Sequence, residues 1–99
     1  MTTIPAIIAA ACAHFRVSLL DVMSVRRDKA SVSARHVTMA LARELTTASI
    51  PAIGRALGRD HTTVLYAISR VRQLQVVDPI FLADYAAVRR LSQEDVGNG

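Results

Sequence analysis

Residues 49–74 read SIPAIGRALGRDHTTVLYAISRVRQL. Ser49 stands two residues before Pro51, a pair that starts a helix. A serine oxygen accepts from the first turn's orphan amides, and proline loses nothing there by lacking an N–H. Gly58 ends that helix, because glycine takes a left-handed cap without steric cost. Asp60 caps a second helix immediately. Along it Val64, Ile68 and Val71 point one way, while Thr62, Thr63, Tyr66 and Arg70 project from the opposite side. Two helices joined by a tight Gly-containing turn predict a helix-turn-helix, the first bracing the second. Such pairs also occur as plain packing. Here the second helix opens on the polar set Arg59, Asp60, His61, Thr62 and Thr63, its outer face is polar, and bases flank it on both sides.

Toward the N-terminus, the spacing predicts a first helix over about Thr3 to Phe15, with Ile4, Ile7, Ile8, Ala11, Cys12 and Phe15 on one face and Pro5 in its opening turn. A short turn of helix follows at Ser18 to Met23, then a basic irregular stretch, Arg26, Arg27, Asp28 and Lys29. From about Val32 to Thr46, Val37, Ala40, Leu41 and Leu45 form a core-facing stripe, and Arg35, Met39, Arg43 and Thr46 share another face. A last helix, about Asp78 to Leu91, is read with Ile80, Leu82, Ala83, Ala86, Ala87 and Leu91 as its apolar face. Ninety-nine residues allow one domain, taken as 1–99. With 52% apolar residues and only 4% aromatic ones, closely packed helices are favoured over a sheet. The expectation is an all-α bundle of about six helices.

Twelve Lys plus Arg oppose eight Asp plus Glu, a net charge of +4. The excess is concentrated. Residues 24–72 hold nine bases against Asp28, Glu44 and Asp60, and all but Lys29 of those nine are arginine. Arginine's planar fork suits phosphate and guanine edges. A nucleic-acid face would give this bias, and so would contact with an anionic membrane surface. A lone cysteine, Cys12, makes no internal disulfide, and no basic residue precedes the apolar run at Ile4 to Ala13, so a reducing cytoplasm is expected and a signal peptide is not. No apolar run is long enough to cross a bilayer, so no membrane partner is expected. His14 and His36 lack a second ligand at metal spacing. No nucleophile–base or paired-carboxylate set is suggested, so neither catalysis nor a cofactor is expected.

The run from Arg59 to Ala67, preceded by Ile50-Pro51-Ala52-Ile53-Gly54, resembles the signature of the C-terminal DNA-binding domain of the bacterial replication initiator DnaA. The likeness extends upstream through Ala34 to Thr46 and through Arg26-Arg27, covering about residues 16 to 75. It implies a small helical bundle and a double-stranded DNA ligand, the nine-base-pair DnaA box. Matched residue by residue, it implies that Asp60, His61, Thr62 and Thr63, introduced by Arg59, meet base edges in the major groove. Their chemistry agrees. Asp accepts from cytosine N4, Thr methyls meet thymine methyls, and His serves purine edges. A cap role alone for Asp60, or simple exposure for His61, is the plainer reading.

The same matching makes Arg27 a minor-groove arginine, a role that a narrow A·T-rich groove rewards; the alternative is a solvated surface run. Arg35 and Arg43 match phosphate-holding positions, and Thr46, Thr47 and Pro51 lie where the family meets the strand. Departures accompany the matches. Only Gly58 stands where the family usually has two glycines, His36 replaces a common Gln, and Tyr66 a common His. No G-x-x-x-x-G-K-[ST] loop occurs, so ATP binding and origin unwinding are not expected. The reading is a bacterial or phage DNA-binding module, nucleoid-associated, that regulates replication initiation or transcription, with the initiator or another regulator as its protein partner. Its counterpart in another class is an adaptor that docks a protein through the helix-turn-helix surface.

Overall fold

A computed structural model describes residues 1–97, with side chains placed through Glu94. Among the described residues, each of the six helices begins at a residue whose side chain accepts from the first turn. Thr3 caps α1 (Ile4–Phe15), and Arg16, at φ 58°, closes it in the left-handed region. Ser18 and Asp21 form a reciprocal capping box around the five-residue α2 (Leu19–Met23). Asp28 accepts from Ser31 N–H at the head of α3 (Lys29–Leu45). Ser49 caps α4 (Ile50–Leu57), and Gly58, at φ 65°, ends it. Asp60 caps α5 (His61–Val77). Asp78 accepts from Ile80 and Phe81 N–H at the head of α6 (Pro79–Gly97). Thus α3 starts three residues before the expected Val32. The acid inside the basic stretch supplies a cap that its charged neighbours obscure.

α3 is the central helix, packed against all five others. Its Val37, Leu41 and Ala42 are fully buried with Ile7 of α1, Ile53 and Leu57 of α4, and Val64 of α5 in one continuous core. Two expected faces differ from the structure. Met39, grouped in sequence with the polar face of α3, is fully buried, and Arg35 is 7% exposed. The central helix has neighbours on most of its circumference, so a single apolar stripe understates what it buries. On α6 the inward face is Phe81, Tyr85, Val88 and Ser92, whereas Ile80 is 74% exposed and Leu82 46%. Both sets have helical spacing. Partners on α1, α3 and α5 select the aromatic one, because Tyr85 Oη donates to Glu44 of α3 at 3.0 Å while Arg89 Nε bonds the same carboxylate. Burial, reinforced by Glu44, pushes the Tyr85 phenol up from its ordinary pKa. His14 of α1 bonds Asp84 of α6 at 2.8 Å.

The α4–α5 turn closes backbone to backbone. Arg59 N–H donates to Gly54 C=O at 2.8 Å, and a Cβ on Gly54 would stand 2.5 Å from the Arg59 carbonyl oxygen. Gly58 differs, since a Cβ there meets nothing within 4 Å and only its positive φ opposes a side chain. Gly54→Ala is therefore expected to destabilise by about 1–3 kcal/mol, the overpacking range, because backbone has to move. Gly58→Ala costs about 1–2 kcal/mol, the penalty for an L-residue in the left-handed region. Urea unfolding of both variants checks this; equal, small losses would show that the turn has room for a methyl at residue 54.

Candidate nucleic-acid interface

The loop between α2 and α3 presents two adjacent arginines in opposite electrostatic states. Arg26 Nε bonds Asp28 at 2.9 Å and its Nη1 lies 3.5 Å from Asp21. Arg27 is exposed and makes no hydrogen bond or ion pair among the described residues. Asp21 and Asp28 are both held below the ordinary carboxylate pKa, chiefly by the backbone N–H groups of Ser18 and Ser31 that they cap. They stay ionised and pair with Arg26, whereas neither Arg27 nor Lys29 of this stretch has an ion-pair partner among the described residues.

Two other expected contact residues hold this loop. Arg35 reaches from α3 with Nε on the Val22 carbonyl at 2.7 Å and Nη2 on those of Asp21 at 3.0 Å and Arg26 at 2.9 Å. Arg59 donates from Nη2 to the Ser24 carbonyl and from Nη1 to Leu57 at 3.2 Å and Met23 at 3.4 Å. Burial first, and the neighbouring Arg59 second, lower the Arg35 pKa, with Asp28 opposing.

At the head of α5, Asp60 Oδ1 accepts from Thr63 N–H at 3.0 Å and from the hydroxyls of Thr62 at 2.6 Å and Thr63 at 3.1 Å. With these three bonds its pKa is lowered to about 2, the Thr62 hydroxyl being the first cause. Each threonine has donated its only hydroxyl hydrogen. What remains to present outward is a methyl group and oxygen lone pairs. All three bonds fall on Oδ1, so the cap role leaves Oδ2 of Asp60 able to accept from an outside donor. His61 is exposed beside it.

A cleft joins these parts, with Val25, Arg26 and Arg27 of the loop, Val32, Arg35 and His36 of α3, and Arg59, Thr63 and Tyr66 on its walls. A neighbouring cleft shares Arg27, His36 and Tyr66 and adds Lys29 and Arg70. The His36 and Tyr66 rings meet edge to face, centroids 5.9 Å apart. Burial, then Arg35 and Arg70, lower the His36 pKa. The remaining expected residues lie elsewhere. Arg43 is exposed but lines a different cleft, with Arg72 and Tyr85. Thr46 is half-buried, donating to Ala42 C=O at 2.6 Å and accepting from Ala48 N–H at 3.1 Å, while Thr47 and Pro51 are exposed on the α3–α4 turn. Lys29 and His36 were not among the expected contacts. With Arg43 they recur every seven residues on α3, a spacing that returns to nearly the same helix face.

The family model for the bacterial dnaA protein helix-turn-helix matches residues 4–71. The chain belongs to that family. It is 47% identical over 89 residues to the chromosomal replication initiator protein DnaA of Sphingopyxis alaskensis, covering 89% of this chain and 20% of that protein. The DnaA of Gluconobacter oxydans is 44% identical over 79 residues, covering 79% and 16%, and that of Caulobacter sp. is 42% identical over 89 residues, covering 89% and 18%. The chain thus spans about a fifth of the length of these relatives. Among the described residues, no helix is long and apolar enough to cross a membrane.

Asp60 sets a pH dependence whose sign follows from its shift. Its folded pKa, about 2, lies below the ordinary 3.8, so its ionised form adds stability that is complete above about pH 4 and lost as pH falls through about 2. Asp60→Ala is expected to lower the urea midpoint at pH 7, with the gap from the parent narrowing between pH 4 and 2. A gap that stays constant across that window would place the stabilisation outside the carboxylate.

Proposed function

We propose that this chain binds double-stranded DNA, with the head of α5 in the major groove and Arg27 in the adjoining minor groove, at a DnaA-box-like element. The observation that carries this reading is an uncompensated Arg27 on the same cleft as Thr63 of α5. A minor groove narrowed by A·T-rich sequence concentrates negative potential and favours a guanidinium. The Thr62 and Thr63 methyls suit thymine methyls, Asp60 Oδ2 suits a cytosine amine, and His61 suits a purine edge. Lys29 and Arg70 beside the cleft and Arg43 at the periphery supply positive charge for the phosphate strand, and the uncharged Thr47 and Pro51 lie against it at the periphery. Such contacts position the protein without specifying sequence.

The role read for this domain is regulatory. By holding initiator sites it influences replication initiation, or it controls transcription from such sites. Its relatives, named as chromosomal replication initiators, support this placement in replication.

Selection from random duplexes, followed by titration across salt concentrations, tests the proposal. About six phosphate contacts give a slope near −5 for log K against log salt. Arg43→Ala should reduce affinity for all sequences alike and flatten that slope by about one. Arg27→Ala should cost about 1–3 kcal/mol, specific to the selected site. His61→Ala or Thr63→Ala should relax preference at particular base pairs. Enrichment of nothing related to the DnaA box would refute the target, and weak, sequence-blind binding would favour a surface that docks protein.

A further inference from the structure

Five carbonyl groups, those of Asp21, Val22, Met23, Ser24 and Arg26, converge on two guanidiniums. α2 has only five residues, too few to hold a helical conformation alone, and its last carbonyls have no intrahelical donors. The segment from Met23 to Arg27 is therefore shaped from outside. Arg35 holds the Arg26 carbonyl, the group bonded directly to the Arg27 amide. Arg59 holds Ser24 and Met23 from 35 and 36 residues away in sequence, and it immediately precedes Asp60, the cap of α5.

We propose that Arg59 is a positioning residue for Arg27, a brace that ties the α2–α3 loop to the head of α5 and fixes the span between the two DNA-reading elements before DNA arrives. This rests on the proposed DNA-binding reading. The resemblance alone places Arg59 among the DNA contacts, whereas its geometry directs both Nη atoms at protein carbonyls. Binding that finds the span already set loses less conformational freedom than binding that must order a loop. Arginine is required because one planar fork serves Leu57 in α4, Met23 at the end of α2 and Ser24 in the loop together, which a lysine ammonium on a flexible stem does not reproduce. Lysine keeps the charge and loses the brace, so it separates the two roles.

The test uses Arg59→Lys, Arg59→Ala and Arg27→Ala in the full chain, with a labelled duplex carrying the top sequence from the random-duplex selection. Hydrogen exchange of the DNA-free protein reads the brace directly, and amides of residues 24–27 should exchange faster in Arg59→Lys while those of the α3 core keep their protection. In binding, Arg59→Ala should weaken affinity but leave the salt slope of the parent unchanged, whereas a phosphate contact would flatten it by about 0.9. Arg27→Ala should cost roughly five- to 150-fold in the parent, equivalent to 1–3 kcal/mol, but under about threefold when combined with Arg59→Lys, because a loosened loop no longer aims Arg27. A flattened slope, additive losses, or unchanged exchange at residues 24–27 would overturn the brace. A parent protein without salt-dependent, sequence-selective binding would overturn the DNA reading instead, and the exchange measurement would still decide whether Arg59 holds the loop.

Discussion

The carbonyl-rich end of α2 imposes the constraint around which the rest of the molecule is arranged. Buried or half-buried backbone oxygens without donors are costly, and this segment has neither a following helical turn nor a strand partner to supply them. Arg35 and Arg59 meet the need with charged donors from α3 and from the α4–α5 turn. The two like charges repel, and the carbonyl dipoles gathered between them offset that repulsion. The basic residues of the middle segment thus divide into those turned inward onto protein carbonyls, Arg26 paired with acids, and those facing solvent unpaired among the described residues.

Acids divide the labour in the same region. Asp21, in the capping box of α2, and Asp28, the cap of α3, each approach Arg26, so helix formation and local charge balance use the same carboxylates. Arg27 lies outside both pairings. At the head of α5, Asp60 again combines tasks, capping the helix and orienting two threonine hydroxyls. The surface that would face a nucleic acid is therefore built by the interactions that start the helices, so its geometry is set by the fold and not by flexible side chains alone.

Local chemistry made several features legible in advance. Ser49, Pro51, Gly58 and Asp60 marked both helices of the pair because caps and left-handed turns depend on a few adjacent residues. The Val64, Ile68 and Val71 stripe on α5 is buried as its spacing implies. The close approach at Gly54 was not legible, since nothing local to it shows that the Arg59 carbonyl will come within contact of its missing Cβ. The choice of face on α6 was equally hidden. Phe81, Tyr85 and Val88 compete with Ile80, Leu82 and Leu91 on periodicity alone, and Glu44, far away in sequence, helps decide between them.

From residue types and their order came the helical class, the helix pair, the basic middle and the family resemblance, all properties of neighbours along the chain or of helical spacing. Tertiary structure decided what each arginine does. Arg26, Arg27, Arg35 and Arg59 are chemically identical, yet one is paired with acids, one is left exposed, and two grip a loop. The reason is that a guanidinium's role depends on which oxygens lie within hydrogen-bonding reach, and for Arg59 those oxygens include Met23 and Ser24, brought near only when α4 and α5 pack against the central helix.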